Sequence, residues 1–430
     1  MTSSPTARPA ERPATGRLRP PRPSPVESPD EAESNAARAD TAARVASPTA
    51  PGSQTALRVA NRRRVVDAVR ELGAVTQARI ARETALAPST VSSIVKELTR
   101  CDLLAVEPDH GGRRGQNVRF SPRAGHLLGV DVGHRHVAVA VADLNVEILA
   151  RKCCELPPDH GAAEVLETAR RMADELRDEL GISAQRFLQA GIAVPAPVAE
   201  RGRELDSAAI LPRWAGMDVQ DLASRVLDCP VVLENDANAG AVGEHSLGAG
   251  RDVRDMAYLK VSHGVGAGLV LGGRLYRGAT GSAGEIGHVT LDERAGLCRC
   301  GNRGCLETFV SSAAVLGLVH SSGRPLETVP DVVDAALAGD PGCTRVVADS
   351  GGLIGGAVAQ LCNLLNPQLV VVGGDLARAG DLLLEPLRRA VEKYTLQRGD
   401  RMRITTSELG PLAHLTGALL LARAGTPLPV

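Results

Sequence analysis

Aromatic side chains are nearly missing from this chain. Three Phe, three Tyr and one Trp stand among 430 residues, and none precedes Phe120. Cores built from Leu, Val, Ile and Ala are therefore expected. No apolar run approaches the ~18–20 residues that a membrane span needs. The first residues carry no apolar stretch of the kind that opens a secretory signal. Both absences argue against membrane and secreted classes and lead to the expectation of a cytoplasmic protein. Nine cysteines in 430 residues are too few for a disulfide scaffold. Lysine is scarce too: 4 of the 49 basic residues are Lys and 45 are Arg. With abundant Ala, that reads as the codon bias of a GC-rich genome. The length corresponds to two to four domains at roughly 100–200 residues each.

What is present is unevenly distributed. The net charge is −1, but residues 56–123 carry 13 basic against 7 acidic side chains, while residues 124–430 carry 29 against 37. A small basic module joined to a larger acidic one suggests an anionic partner for the first, such as nucleic acid. Residues 1–55 hold ten prolines and no hydrophobic periodicity. Such a segment cannot bury enough apolar surface to offset its ordering entropy and is expected to be a disordered tail.

Residues 56–123 read as a helix-turn-helix with a wing. A first helix over 57–72, with Val59, Val66, Val69 and Leu72 near helical spacing, stops at Gly73. A second starts after Thr76, a suitable N-cap. A third begins at Pro88, where Val91, Ile94, Val95 and Leu98 give the i, i+3, i+4, i+7 stripe of a packed helix. Its other face is short and polar: Ser89, Thr90, Ser92, Ser93 and Lys96. Small hydroxyl side chains permit close approach in a major groove. Two strands, 103–106 and 117–120, flank a basic tip containing Arg113 and Arg114, which suit a minor groove. The plainer alternative is a small helical domain with a solvated basic hairpin.

From residue 124 onward the pattern becomes α/β. Apolar strands at 126–133, 136–143 and 146–150 precede a helix at about 162–179 and a strand at 190–195. The same order, three strands, helix, strand, recurs from residue 256 to 372. Two half-domains of one pattern suggest a duplicated fold with a ligand between the halves.

The sharpest motif is His288 followed by Cys298, Cys300 and Cys305, spaced H-x9-C-x-C-x4-C. Three thiolates and one imidazole suit tetrahedral Zn²⁺. Four protein ligands close the site, so one structural zinc per chain is expected. The other six cysteines show no such spacing and read as small core or surface residues. Glu234-Asn235-Asp236-Ala237-Asn238 is equally a capped helix start or a binding loop when read alone.

These residues together resemble the ROK family of repressors and sugar kinases. The matching segments are 234–238, the glycine-rich run from Gly278 to His288, the cysteine cluster, and Gly304-Cys305-Leu306-Glu307. With the preceding winged helix they are similar to the repressor branch, which includes xylose and N-acetylglucosamine repressors. The resemblance implies a winged helix followed by a two-lobed actin-like ATPase fold, a sugar between the lobes, and dimers or tetramers bound to double-stranded operator DNA. It implies that Asp236 stands where the kinases keep their general base, and that Asn235, Asp236, Glu285, His288 and Glu307 contact a sugar or sugar phosphate. It places Asp131 and Gly133, Gly264 and Gly266, and Gly373 and Gly374 in nucleotide loops.

Departures from the kinase pattern cluster at those loops. His134 and Arg135 stand where the kinases have Gly and Thr, and His263 stands where they have Thr. A glycine at a tight phosphate turn lets the backbone approach closely, and a threonine offers a hydroxyl. Both features are lost, so ATP binding and turnover are in doubt. On the sugar side, Ala196 replaces a Gly and Ile210 an Asn. The sequence therefore favours a sugar-responsive transcriptional regulator, with two rivals. One is an ATP-dependent sugar kinase carrying a DNA-binding domain. The other is a DNA-binding scaffold that has lost its ligand.

Overall fold

The computed structural model describes residues 53–108, 116–182, 186–199, 210–396 and 402–428. Most of the tail expected over 1–55, and both wing arginines Arg113 and Arg114, lie outside them. The chain divides after Ala60. Up to that point the described residues are Ser53 and the start of helix α1 (Gln54–Leu72). The body runs from Asn61 to Val430.

Helix α1 buries Val65, Val66, Ala68 and Val69. Val59, placed on the apolar stripe by its spacing, is 37% exposed, which is ordinary for a single apolar residue. Strand β1 (Val75–Thr76) precedes helix α2 (Gln77–Thr84), whose first turn is capped by Thr76 Oγ1 accepting the Arg79 N–H at 3.3 Å. Ala85 turns the chain sharply at φ +53°. Pro88 then opens helix α3 (Pro88–Arg100) at the position where a missing N–H costs nothing. Strands β2 (Leu104–Pro108) and β3 (Gln116–Phe120) form the antiparallel wing. The wing has three strands, not two, because Val75 and Thr76 pair with Val118 and Asn117. Two residues are too short for an alternation to be visible in sequence.

The first lobe is a five-stranded sheet. Its strands are β4 (His126–Val132), β5 (His136–Asp143), β6 (Ile148–Glu155), β7 (Gln189–Val194) and β8 (Val231–Asn235), in spatial order β6-β5-β4-β7-β8. Strand β6 starts two residues later than expected. Val146 adopts φ +65° and its N–H bonds the Asp143 carbonyl at 3.0 Å, so the turn extends through it. Helices α4 (Ala162–Glu179) and α5 (Val219–Leu227) cover one face. Strand β4 is buried at every position because the sheet is covered on both faces.

Helix α6 (Asp236–Leu247) leads into the second lobe. Strands β9 (Met256–Val261), β10 (Val265–Leu271) and β11 (Arg274–Tyr276) come next. Helices α7 (Glu307–Val310), α8 (Ser312–Ser321), α9 (Val329–Leu337) and α10 (Pro341–Leu365) follow, then β12 (Leu369–Gly373), α11 (Asp381–Tyr394), β13 (Arg403–Thr406) and α12 (Ala413–Gly425). The sheet order β11-β10-β9-β12-β13 repeats that of the first lobe. The pairing repeats as well: two antiparallel contacts, then two parallel ones.

Helices α6 and α12 cross between the two sheets at very close range. A Cβ on Gly417 would fall 1.7 Å from the Ala239 carbonyl oxygen, and one on Gly191 of β7 would fall 1.9 Å from that of Ala418. Helix α12 also enters the core of the winged helix, where Leu415, Leu419, Leu420 and Ala422 join Val66, Ile80, Val95 and Phe120. Polar clamps reinforce this junction. The Asn145 side chain accepts the Phe120 N–H at 3.1 Å and donates to the Phe120 carbonyl at 3.0 Å. Arg70 donates to the Thr426 carbonyl at 3.0 Å. The cores are mainly aliphatic, but Phe120, Trp214 and Tyr258 are all fully buried. These three aromatics serve as large fillers, one each in the winged helix, the first lobe and the second, and Phe187 adds another to the first lobe's core. Among the described residues no helix is long and apolar enough to cross a membrane.

Candidate ligand cleft, metal centre and nucleic-acid interface

On helix α3 the stripe Val91, Ile94, Val95 and Leu98 is buried. Ser89, Ser93 and Lys96 are exposed and Thr90 and Ser92 half-buried, so the polar residues named from sequence share the outward side of this helix.

An open cleft, with about 450 Å³ of empty space that includes open solvent, is lined from both lobes. Pro195, Pro197, Ile210, Asn235 and Asp236 come from the first lobe and its connection to α6. Lys260, Glu285, His288, Arg299 and Glu307 come from the second. All five expected sugar contacts therefore meet in one place.

Each has a protein partner as well. Asn235 caps α6, its Oδ1 accepting the Asn238 N–H at 3.1 Å, and its amide donates to the Ala196 carbonyl at 3.3 Å. The helix-cap reading and the binding reading thus describe the same side chain. Asp236 is buried and ion-paired with Lys260 of β9. Burial works against the charged Lys260 ammonium, but Asp236, joined by Asp131 and Asp375, outweighs it and holds the pKa above its ordinary value. Glu307 accepts from Arg299 Nε at 2.8 Å on one oxygen and from the Val265 N–H at 3.0 Å on the other. Sequence reasoning missed Lys260 and Arg299. A lone Lys in an otherwise buried strand, Met256 to Val261, was the available signal.

The nucleotide-loop positions are also located. Gly133 makes a tight turn, its N–H donating to the His136 carbonyl at 2.8 Å, and a Cβ there would strike the His136 ring at 2.2 Å. Asp131 is buried, with His136 Nε2 and His414 Nδ1 each 3.6 Å from its Oδ2. Burial opposes its ionised form, but the two imidazoles outweigh burial and keep the carboxyl well below the usual range. Gly264 and Gly266 line the cleft. Packing accounts for Gly373 and Gly374: a Cβ would meet the Tyr258 hydroxyl at 2.2 Å or the Val261 carbonyl at 2.0 Å.

Two imidazoles stand between these loops. The His134 and His263 rings lie 5.7 Å apart, tilted by 37°. Burial, and then the charges of Lys260 and Arg299, push the His134 imidazole down to about 3. Burial and Lys260 lower His263 as well. These surroundings favour the neutral form of both rings.

The ligand atoms of His288, Cys298, Cys300 and Cys305 all lie within 4.8 Å of one another. His288 Nδ1 is 3.6 Å from Cys298 Sγ, and the Cys300 and Cys305 sulfurs are 3.7 Å apart. Gly301 and Gly304 take φ +92° and +60°, which lets the loop wrap tightly. The set can hold a metal ion. His288 faces two ways: Nδ1 toward the thiols, and Nε2 3.8 Å from Glu285 Oε2. Its double assignment, to metal and to cleft, is thus compatible with one ring. Arg299 sits between two of the thiols in sequence and reaches back to Glu307 and to the His263 carbonyl, at 3.3 Å. The cysteine loop thereby forms part of the cleft wall.

Comparison with known proteins agrees with this architecture. Residues 127–425 match the ROK family model, and residues 61–115 match the MarR family model. The xylose repressor of Caldicellulosiruptor bescii is 26% identical over 388 residues, covering 86% of this chain and 97% of that protein. A crystal structure of a ROK family transcriptional regulator, a homologue of the Escherichia coli MLC protein, superposes with TM-score 0.70 at 25% identity, covering 86% of this chain and 96% of that one. A ROK family glucokinase from Streptomyces griseus, solved with glucose and AMPPNP, gives TM-score 0.62 at 26% identity, covering 70% of this chain and all of that one.

Proposed function

The chain belongs to the ROK family, and from that premise we propose that it is a sugar-responsive transcriptional regulator, in the first instance a repressor. Residues 56–123 bind double-stranded operator DNA, as a dimer or tetramer, and residues 124–430 sense the sugar. The observation that carries this reading is the pairing, in one chain, of a helix with an outward polar side and a two-lobed cleft beside which two imidazoles approach each other. Ser89, Ser93 and Lys96 are exposed on α3, while His134 and His263 stand between the loops.

Phosphoryl transfer depends on positioning the phosphates against the acceptor hydroxyl and a base. Asp236 offers the carboxylate, but Lys260 already holds it. The two imidazoles stand at positions where the resemblance puts a Gly and a Thr, which supports the reading of a weakened phosphate turn. Regulation requires that the sugar bind two conformations of the protein with different affinity. The four-residue Cys/His set supports a structural zinc, which joins the cysteine loop to the cleft through His288.

The rival reading, a sugar kinase with an appended DNA-binding domain, is favoured by retention of Asp236 and by the likeness to the glucokinase. An ADP-release assay with glucose, mannose, N-acetylglucosamine and xylose separates the two. Negligible turnover is expected, together with operator binding that responds to a sugar. Turnover near the ~1–100 s⁻¹ of kinases, abolished by Asp236→Asn, would make the protein an enzyme.

A further inference from the structure

Helix α12 runs from the neighbourhood of the cleft to the core of the winged helix. Its first turn carries His414, whose ring touches one residue of each lobe. Nδ1 is 3.6 Å from Asp131 Oδ2 on β4, and Nε2 is 3.2 Å from the Tyr258 hydroxyl on β9. Burial, and then Glu244, push the Tyr258 phenol up, so its O–H stays a donor. An imidazole with its proton on Nδ1 serves both neighbours: it faces the carboxylate and leaves Nε2 to accept. Both neighbours adjoin the cleft. Asp131 lies three residues before His134, which lines it. Tyr258 and Lys260 stand two apart on β9, on one side of the sheet, and Lys260 pairs with Asp236.

The helix behind that ring has no slack. An added Cβ would fall 1.7 Å from the Ala239 carbonyl oxygen at Gly417, 1.9 Å from that of Ala418 at Gly191, and 2.5 Å from that of Ala413 at Gly243. At Gly129 of β4 it would fall 2.7 Å from Leu419 Cγ. Glu244 of α6, fully buried, fixes the chain entering α12, accepting from the Leu409 N–H at 2.9 Å and the Ser407 hydroxyl at 2.5 Å. Contacts this close transmit a displacement, because no void absorbs it. At the other end Leu415, Leu419, Leu420 and Ala422 belong to the core of the winged helix, and Arg70 of α1 holds the Thr426 carbonyl. We propose that α12 carries the state of the cleft to the DNA-binding head, with His414 as the positioning residue at its cleft end. This deepens the sensor reading and rests on it, since it names the regulation of that same site. The head then moves with the helix as one body and is not released on a loose tether.

The test is hydrogen exchange of the full-length protein read by mass spectrometry, for wild type, His414→Ala and His414→Asn. It is run without ligand and then with glucose, mannose, N-acetylglucosamine or xylose. Without ligand, His414→Ala should speed exchange about tenfold in α3 and β3 of the head and leave α9 and α10 of the second lobe unchanged. His414→Asn, whose amide can still face Asp131, should recover part of that protection. A sugar that protects residues 234–238 and 285–307 should also change exchange in the wild-type head, by about threefold or more. His414→Ala should lose that change and keep the protection at the cleft. Head exchange unaffected by His414→Ala, or raised no more than that of α9 and α10, would overturn the relay. A sugar effect on the head that is absent in wild type, or that survives in His414→Ala, would overturn it too and leave the sensor standing. Should none of the four sugars protect the cleft, the sensor reading falls, and the ligand-free comparison alone decides whether α12 joins cleft and head.

Discussion

The two lobes share one strand order and one pattern of parallel and antiparallel pairing, yet they contribute differently to the cleft. The first supplies a capped helix start, Asn235 and Asp236, and the apolar wall of Pro195, Pro197 and Ile210. The second supplies both cationic side chains of the lining, Lys260 and Arg299, and the loop that carries the Cys/His set. Duplication therefore explains the frame of the site and not its chemistry. That chemistry lies where the copies diverge: in the single charge on β9 and in the insertion between β11 and α7. The divergence also neutralises the site from within, since Lys260 pairs with Asp236 and Arg299 with Glu307.

The largest expected effect breaks the comparison at the insertion. Cys305→Ser, or metal removal by a chelator, should abolish about one bound zinc per chain and lower the melting temperature strongly. Structural zinc in finger peptides is linked to ~10–16 kcal/mol of apparent folding free energy. The sole tryptophan, Trp214, is buried in the first lobe, so its emission at 25 °C should stay unchanged. Metal-free wild type with normal stability would remove the claim. Next comes the charge on β9. Lys260→Met leaves Asp236 buried without its cation and should cost about 3–5 kcal/mol at pH 7 by urea denaturation. Because the folded pKa of Lys260 is raised, the pair's contribution is complete below the unfolded value of about 10.4. It is lost as pH rises through the folded value. The difference between wild type and variant should therefore shrink at pH 11, and a difference independent of pH would contradict the pairing.

A smaller effect tests the crossing that the lobes share. Gly417→Ala places a methyl group against the Ala239 carbonyl and should destabilise by about 3 kcal/mol, the upper end of ordinary overpacking. A neutral result in the same urea titration would mean that α6 and α12 do not touch there. The smallest concerns the rim of the first lobe. Arg213 and Glu164 pair at 3.1 Å with both side chains more than half exposed. Arg213→Ala should leave the melting temperature unchanged within error, because solvent and salt screen such pairs.

Much of the frame is legible in the sequence alone. The continuous apolar run ending at Gly133, the helix from Ala162 to Glu179 and the second set of strands announce themselves through periodicity and length. The Cys/His spacing brought its four residues together because a short loop has few ways to fold around them. What stayed hidden depends on distance along the chain. Lys260 and Asp236 are 24 residues apart on different elements, and no local pattern links them. His414 reaches Asp131 from near the far end of the sequence. Glu307 looked like a ligand contact, but its engagement by Arg299 and the Val265 amide emerges only when the cysteine loop folds back. The third strand of the wing was invisible for a different reason: two residues carry no alternation.

Helix α12 adds a consequence in time. Its residues 413–425 are made only after every strand of both lobes, yet Leu415, Leu419, Leu420 and Ala422 fill the core of the winged helix, which is made before those lobes. A nascent chain therefore carries an unfinished DNA-binding head until nearly all of the sensor has been synthesised. Fragments arrested before α12 expose the apolar side of that head and present it to chaperones and proteases. The order of synthesis thus makes a complete core of the winged helix depend on a complete second lobe.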